Sequence, residues 1–121
     1  MLKGYKKLTI WEKAHKLAID IYRITEKLPK TEQYGLCSQI RRASFSISIN
    51  IVEGQASQSK KDFLNFLNIA NRSLVETEYL LEIISELKFI EIDEYKKLES
   101  THVELGLMLH KFIQQLRNKE S

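Results

Sequence analysis

Residues 39–55 read QIRRASFSISINIVEGQ, and the fold turns on how this stretch is read. Its middle, SFSISINIV, alternates polar and apolar residues as a half-buried strand does. A strand at 44–52 needs a neighbour to take its backbone donors and acceptors, and no other segment offers a convincing one. Wound as a helix at about 100° per residue, the same stretch sorts into stripes. Leu36, Ile40, Ala43, Ile47 and Ile51 line one side, and Phe45, Ile49 and Val52 line nearly the opposite side. A polar stripe of Gln39, Arg42, Ser46, Asn50 and Glu53 runs between them, while Arg41, Ser44, Ser48 and Gln55 fill the other gap. The period-two look is two helical stripes seen together. The spacing therefore predicts a helix over 35–54 despite its β-branched content, with Gly54 suited to its C-terminus.

Working outward, LTIWEKAHKLAIDIYRITEKLP repeats apolar residues at Ile10, Ala14, Leu17, Ile21, Ile24 and Leu28, the spacing of one helix face. Thr9 and Glu12 form a capping-box pattern, and Pro29 ends a helix predicted over 9–28. A third helix opens at Ser59 and Asp62 and follows Phe63, Leu67, Ala70, Leu74, Thr77, Leu81 and Ile84. No glycine or proline interrupts it from Lys60 to Ile90, which predicts a helix over 60–90. The fourth, predicted over 93–117, carries Tyr95, Leu98, His102, Leu105, Leu109, Phe112 and Leu116. Short links near 29–34, 55–59 and 90–93 make the expected fold all-α, an antiparallel up-down-up-down four-helix bundle. One domain spans 1–121, with a basic tail at 1–8 and a polar tail at 118–121.

The composition agrees. A chain of 121 residues, 43% apolar and 29% charged, with one proline and four glycines, favours long helices in one soluble domain. The net charge of +3 is mildly basic, and a ring of identical subunits would multiply its field. Cys37 has no second cysteine to pair with, so the fold does not depend on an oxidising compartment. No apolar run approaches the ~20 residues of a membrane span, and MLKGYKKL lacks the apolar stretch of a signal peptide. The expected location is the cytoplasm, with no membrane partner.

A bundle helix needs one apolar stripe, so the second stripe on helix two must face something else. The alternatives are a wide core contact with scattered surface apolar residues, or a subunit interface. Helix three behaves alike, because Phe66, Ile69, Leu80, Ile83 and Leu87 widen its apolar arc. The expected interface comprises Phe45, Ile49, Val52, Phe66, Ile69, Leu80 and Ile83. Ser73 and Glu76 interrupt that arc, and a carboxylate set there needs a partner. Arg42, Ser46, Asn50, Glu53, Ser73 and Glu76 are expected to form a structural polar network, with Glu76 accepting hydrogen bonds from the polar stripe of helix two, either within the subunit or across an interface. An Arg42–Glu76 fork would fix helix register.

LTIWEKAHKLAIDIYRITEKLP, EQYGLCSQIRRASFSISINIVEGQ and FLNIANRSLVETEYLLEII together resemble the four-helix-bundle proteins encoded by intervening sequences of bacterial large-subunit ribosomal RNA genes. The resemblance covers roughly residues 6–117. The most specific parts are SQIRRASFSISINIVEG and NRSLVETEYLL, where the usual family forms are close to RRAAVSIPSNIAEG and GSLAELET. Ser48 stands where proline is frequent, which makes helix two more continuous. Asn71–Arg72 stands where alanine–glycine is frequent, which puts a positive charge on helix three. The resemblance implies a four-helix bundle and, for several members, a ring-shaped homopentamer. It also implies kinship with the accessory variability protein of diversity-generating retroelements, which pairs with a reverse transcriptase and is thought to bind nucleic acid.

Two Glu-x-x-His pairs, Glu12–His15 and Glu99–His102, with Glu53 and Glu76 nominally complete a di-iron set. Geometry argues against it. Glu12 and His15 lie far from the core stripe, and antiparallel helices place the two pairs toward opposite ends. His102 falls on the core stripe of helix four, as a hydrogen-bonded core histidine does. Cys37 lacks a base, and Ser44, Ser46 and Ser48 suit packing or local hydrogen bonds. No Gly-rich phosphate loop or Cys-x-x-Cys is present. The expectation is no catalytic residue, metal, cofactor or small-molecule substrate.

Basic residues cluster weakly. Lys3, Lys6 and Lys7 sit in the N-terminal tail, Lys60 and Lys61 open helix three, and Arg41 and Arg72 project from non-core sides. One reading is a solvated surface; the other is a track of Arg41, Lys60, Lys61 and Arg72 that meets phosphates on an oligomer. Tyr5, Tyr34 and Trp11 offer stacking against bases, or packing at a bundle end. The sequence thus predicts a non-enzymatic homo-oligomeric bundle, a pentamer by resemblance, that binds RNA or DNA or scaffolds a nucleoprotein partner such as a reverse transcriptase. The alternative is a protein–protein interaction module without nucleic-acid contact.

Overall fold

The computed structural model describes residues 4–119, which form four helices: α1 (Thr9–Thr25), α2 (Ser38–Gln55), α3 (Lys60–Glu86) and α4 (Ile92–Asn118). Lys3 of the basic tail and residues 120–121 of the polar tail lie outside the described residues. The strand-like stretch is helical throughout. Ile40, Ala43, Ile47 and Ile51 are buried, and so are Ser44 and Ser48. Each of those serines donates to the carbonyl three residues back, Ser44 to Arg41 at 3.2 Å and Ser48 to Phe45 at 3.1 Å.

The helix ends depart from expectation for local reasons. α1 is capped by Leu8, whose carbonyl accepts from the Glu12 amide at 3.1 Å, so Thr9 is already helical and forms no capping box. A 3-10 turn over Gly4–Lys7 precedes it. α1 stops at Thr25 rather than 28. The Thr25 hydroxyl donates to the Ile21 carbonyl at 2.8 Å, and the next three amides reach back only three residues. Pro29 then forces Leu28 out of helical geometry, though Leu28 stays buried. Turns over Lys30–Glu32 and Gln33–Cys37 follow, with non-helical backbone at Gly35, so α2 begins at Ser38 rather than 35.

α3 ends at Glu86, four residues before the predicted 90, without a glycine or proline. Lys88 takes a left-handed conformation at φ 61°. Its amide reaches the Ser85 carbonyl and the Phe89 amide reaches the Ile84 carbonyl, the paired bonds of a Schellman stop. Ser59 caps α3 as expected, accepting from the Asp62 amide at 3.1 Å. α4 opens on a capping box, in which Glu91 caps and Glu94 accepts from the Glu91 amide at 3.0 Å.

The core stripes meet along the bundle axis. Leu17, Ile21, Ile40, Ile47, Ile51, Leu67, Ile84, Leu105 and Leu109 are fully buried, each stabilising the fold by about 1.5–3 kcal/mol relative to exposure. Contacts between neighbouring helices run in opposite sequence directions. Arg41 reaches Thr25, while the Tyr22 and Phe45 rings lie 6.1 Å apart. Gln39 meets Glu76, and Ser46 meets Ser73. Phe63 packs on Phe112, and His102 bonds Leu74. Lys13 pairs with Glu104, and Lys27 with Glu94. Gly54 sits one residue inside α2, and its role is close approach rather than capping. A Cβ there would lie 2.8 Å from Phe63 Cδ1 and 3.1 Å from Phe66 Cβ on α3.

Candidate interface on the second and third helices

α2 and α3 leave an open groove of about 570 Å³ on their outer side, lined by Gln39, Arg42, Phe45, Ser46, Ile49, Ser73 and Glu76. The polar stripe of α2 and the interrupted arc of α3 form its floor. Ser73 Oγ and Ser46 Oγ are 2.8 Å apart, and Asn50 Nδ2 donates to Ser46 Oγ at 3.0 Å and to the Ser46 carbonyl at 2.7 Å. Gln39 Nε2 donates to Glu76 Oε2 at 3.3 Å, so the amide, not the guanidinium, takes the carboxylate. Among the described residues Arg42 has no ion-pair partner, and the Arg42–Glu76 fork is not formed within the chain. Arg42, Glu53 and Glu76 are exposed.

Around this floor the apolar rim is uncovered. Ile49 is 51% exposed and Ile69 is 39% exposed, whereas Phe45, Val52, Phe66 and Ile83 are half-buried. Leu80 corrects the expected interface set. It is 6% exposed and belongs to the core cluster, on the inner side of the outer arc. The period did not single out Val75, Tyr79, Val103 and Leu107, exposed apolar residues on α3 and α4. They fall outside every core stripe, and that was their only signal.

The basic residues are not brought into one track. Arg41 is half-buried. It donates through Nε to Thr25 Oγ1 at 2.9 Å and through a terminal nitrogen to the Tyr22 carbonyl at 3.2 Å, with its carbon 3.9 Å from the Tyr22 ring centroid. It satisfies the C-terminal carbonyl end of α1. Lys60 lies at the opposite end of the bundle and donates to the Lys119 carbonyl at 2.6 Å. Lys61 and Arg72 are exposed on α3, eleven residues or about 16 Å apart. Trp11 is half-buried between Tyr5, edge-on at 5.1 Å, and His15, stacked at 4.9 Å, so Tyr5 and Trp11 are occupied with each other. Tyr34 is 91% exposed.

The titratable groups have structural surroundings. His102 Nε2 donates to the Leu74 carbonyl at 2.9 Å, and its buried Nδ1 lies 3.9 Å from Glu78 Oε2. Burial pushes the Cys37 thiol up, and its Sγ faces the Thr25 carbonyl at 3.4 Å. Burial, then the bond to Glu99, pushes the Tyr95 phenol up, and the Glu82 and Glu78 charges add to this. The Lys27 ammonium and the Glu91 amide hold Glu94 below the usual carboxylate range. Among the described residues no group of three or more His, Cys, Asp or Glu side chains is placed to hold a metal ion. No described helix is long and apolar enough to cross a membrane.

The fold and its α2 signature define a class. Residues 6–111 match the model of the 23S rRNA-intervening sequence protein family, and the chain belongs to that family. A solved structure of a protein of unknown function from the S23 ribosomal protein family of Bacteroides thetaiotaomicron VPI-5482 is similar over 87% of this chain and 95% of its own. Its TM-score is 0.80 at 30% sequence identity. No curated protein matches the chain.

Proposed function

We propose that the protein is a non-enzymatic helical bundle that assembles with copies of itself and presents positive charge to RNA or DNA. The observation that carries the reading is the uncovered α2–α3 face. There Ile49 and Ile69 stand exposed beside Phe45 and Phe66, over a floor in which Ser46, Asn50 and Ser73 bond one another and Gln39 bonds Glu76. Arg42 and Glu76 at its edge give a facing copy one charge of each sign to pair with. A pentameric ring is the assembly that the family resemblance favours, and head-to-tail closure needs two different faces. Val75, Tyr79, Val103 and Leu107 on α3 and α4 supply apolar surface for a second.

The same four residues favour a second reading, in which that surface receives a protein partner such as a reverse transcriptase and no nucleic acid is bound. Native mass measurement tests the first reading. The wild type is expected at a multiple of 14.2 kDa, and Ile49→Glu/Ile69→Glu near the monomer mass. A folded wild type that stays monomeric at all concentrations overturns self-assembly. Salt-sensitive binding of labelled RNA or DNA separates the nucleic-acid reading from the protein-partner one.

A further inference from the structure

The charges of the chain are sorted along the bundle axis. Cut each helix at its midpoint. The half in which α1 and α3 begin and α2 and α4 end holds residues 4–17, 47–73 and 105–119. It carries ten Lys or Arg against three Asp or Glu. The other half, residues 18–46 and 74–104, carries eight against twelve. A net charge of +3 thus conceals about +7 on one half and −4 on the other. α3 and α4 are 27 residues each, about 40 Å long, whereas charges in physiological salt are screened within about 8 Å. A ligand at the basic end does not feel the acidic half.

We propose that this end of the bundle is a binding surface for the phosphate backbone of duplex nucleic acid. The inference rests on the nucleic-acid reading above and relocates its surface from the sides of α2 and α3 to the tip. The tip is built from residues 4–8, 56–62 and 116–119, which hold Lys6, Lys7, Lys60, Lys61, Arg117 and Lys119 against a single acid, Asp62. All but Lys60 are exposed. Gln58, Ser59 and Asn118 stand among them as exposed neutral polar groups that can reach phosphate oxygens. The aromatic side chains here are half-buried and packed on one another, Tyr5 on Trp11 and Phe63 on Phe112. Among the described residues no exposed Phe, Tyr or Trp ring stands at this tip, and the exposed His15 ring is stacked on Trp11, so the surface suits a paired backbone.

A second copy is a poorer occupant. The tip of the acidic half, residues 26–34 and 87–91, holds Glu26, Glu32 and Glu91 against Lys27, Lys30 and Lys88, a mixed surface with no uniform charge to offer. In a cyclic assembly whose axis follows the helices, every basic tip faces the same way, and one rim collects the whole charge.

The test is anisotropy of a short labelled duplex, as RNA and as DNA, and of the single strand, titrated with the full chain over a salt series. Lys7→Ala/Lys61→Ala/Arg117→Ala removes three cations from the tip. Arg23→Ala/Lys30→Ala/Lys96→Ala removes three exposed cations from the other half with the same change in net charge. The tip variant should bind at least about tenfold more weakly at low salt, with a salt slope shallower by about 1 for each phosphate no longer neutralised, and the control within about twofold of wild type. Equal weakening in both variants overturns the placement while leaving nucleic-acid binding standing. Single strands bound as tightly as duplex overturn the backbone assignment. A wild type of intact mass that binds nothing at low salt overturns this inference and the reading beneath it together.

Discussion

Replacing Gly54 with alanine separates two effects that usually act together. Gly54 is helical with φ negative, so alanine is allowed there and lowers the cost of the helix by about 1 kcal/mol. The added Cβ, however, would lie 2.8 Å from Phe63 Cδ1, about 0.7 Å inside ordinary carbon contact. The Phe63 ring has little room to turn, since Phe112 packs against it at 5.6 Å. The second contact, 3.1 Å to Phe66 Cβ, presses on an atom fixed to the α3 backbone. Such overpacking costs about 1–3 kcal/mol, so the net expectation is a loss of about 1 kcal/mol. Gly106 on α4 is the comparison. There a Cβ meets only Leu74 Cδ2, at 3.5 Å, an ordinary contact, so Gly106→Ala should gain about 0.5–1 kcal/mol. The two variants should differ by about 2 kcal/mol, or roughly 8 °C in Tm for a chain of this size. Urea unfolding followed by circular dichroism, at one fixed protein concentration because assembly shifts apparent stability, measures both. A Gly54→Ala chain stabilised as much as Gly106→Ala would refute the close approach of α2 and α3.

Three further outcomes follow from local geometry. Lys88→Gly relieves a left-handed residue at the α3 stop and should stabilise by about 1 kcal/mol, read in the same unfolding experiment; a decrease would mean the lysine side chain contributes more than its backbone costs. Arg41→Ala removes the bonds to Thr25 and Tyr22 and should cost about 1–2 kcal/mol, with nucleic-acid affinity within about twofold of wild type. The reverse pattern, weakened affinity with unchanged stability, would return Arg41 to the phosphate surface. Glu94 is held below its unfolded pKa. Its contribution is therefore fully present above about pH 4.3 and is lost as pH falls through the folded value. Glu94→Gln should flatten the stability profile below that pH, and an unchanged acid limb would show that the Lys27 tie does not act.

The core was legible from spacing alone. Ile10, Ala14, Leu17 and Ile21, then Leu67, Ala70, Leu74 and Thr77, recur at helical intervals and are buried together. Helix ends were less legible, because the chain stops α3 with a lysine and caps α1 with a leucine, residue types that carry no stop or start signal. The outer face was legible only as chemistry. Gln39, Arg42 and Glu76 were visible as polar residues near an apolar arc, but which of them meets Glu76 depends on where α2 sits against α3. Leu80 was misplaced for the same reason: an arc does not reveal where a neighbour's cover ends. The charge sorting escaped a linear reading because the three basic segments are far apart in sequence and meet only when alternate helix ends are gathered at one tip.

Ser44 and Ser48 give α2 an unusual latitude. Each hydroxyl is absorbed by a carbonyl of its own helix, and neither donates a hydrogen bond to the helices packed against it. To α1 and α3 these positions are merely small. Exchange of either serine for alanine therefore removes an internal bond without orphaning a group on a partner helix, a step near neutrality. Bulk at these sites is constrained while polarity drifts. A lineage can then pass between a stretch that looks like an amphipathic strand and one that looks like a plain helix while the bundle beneath it does not change.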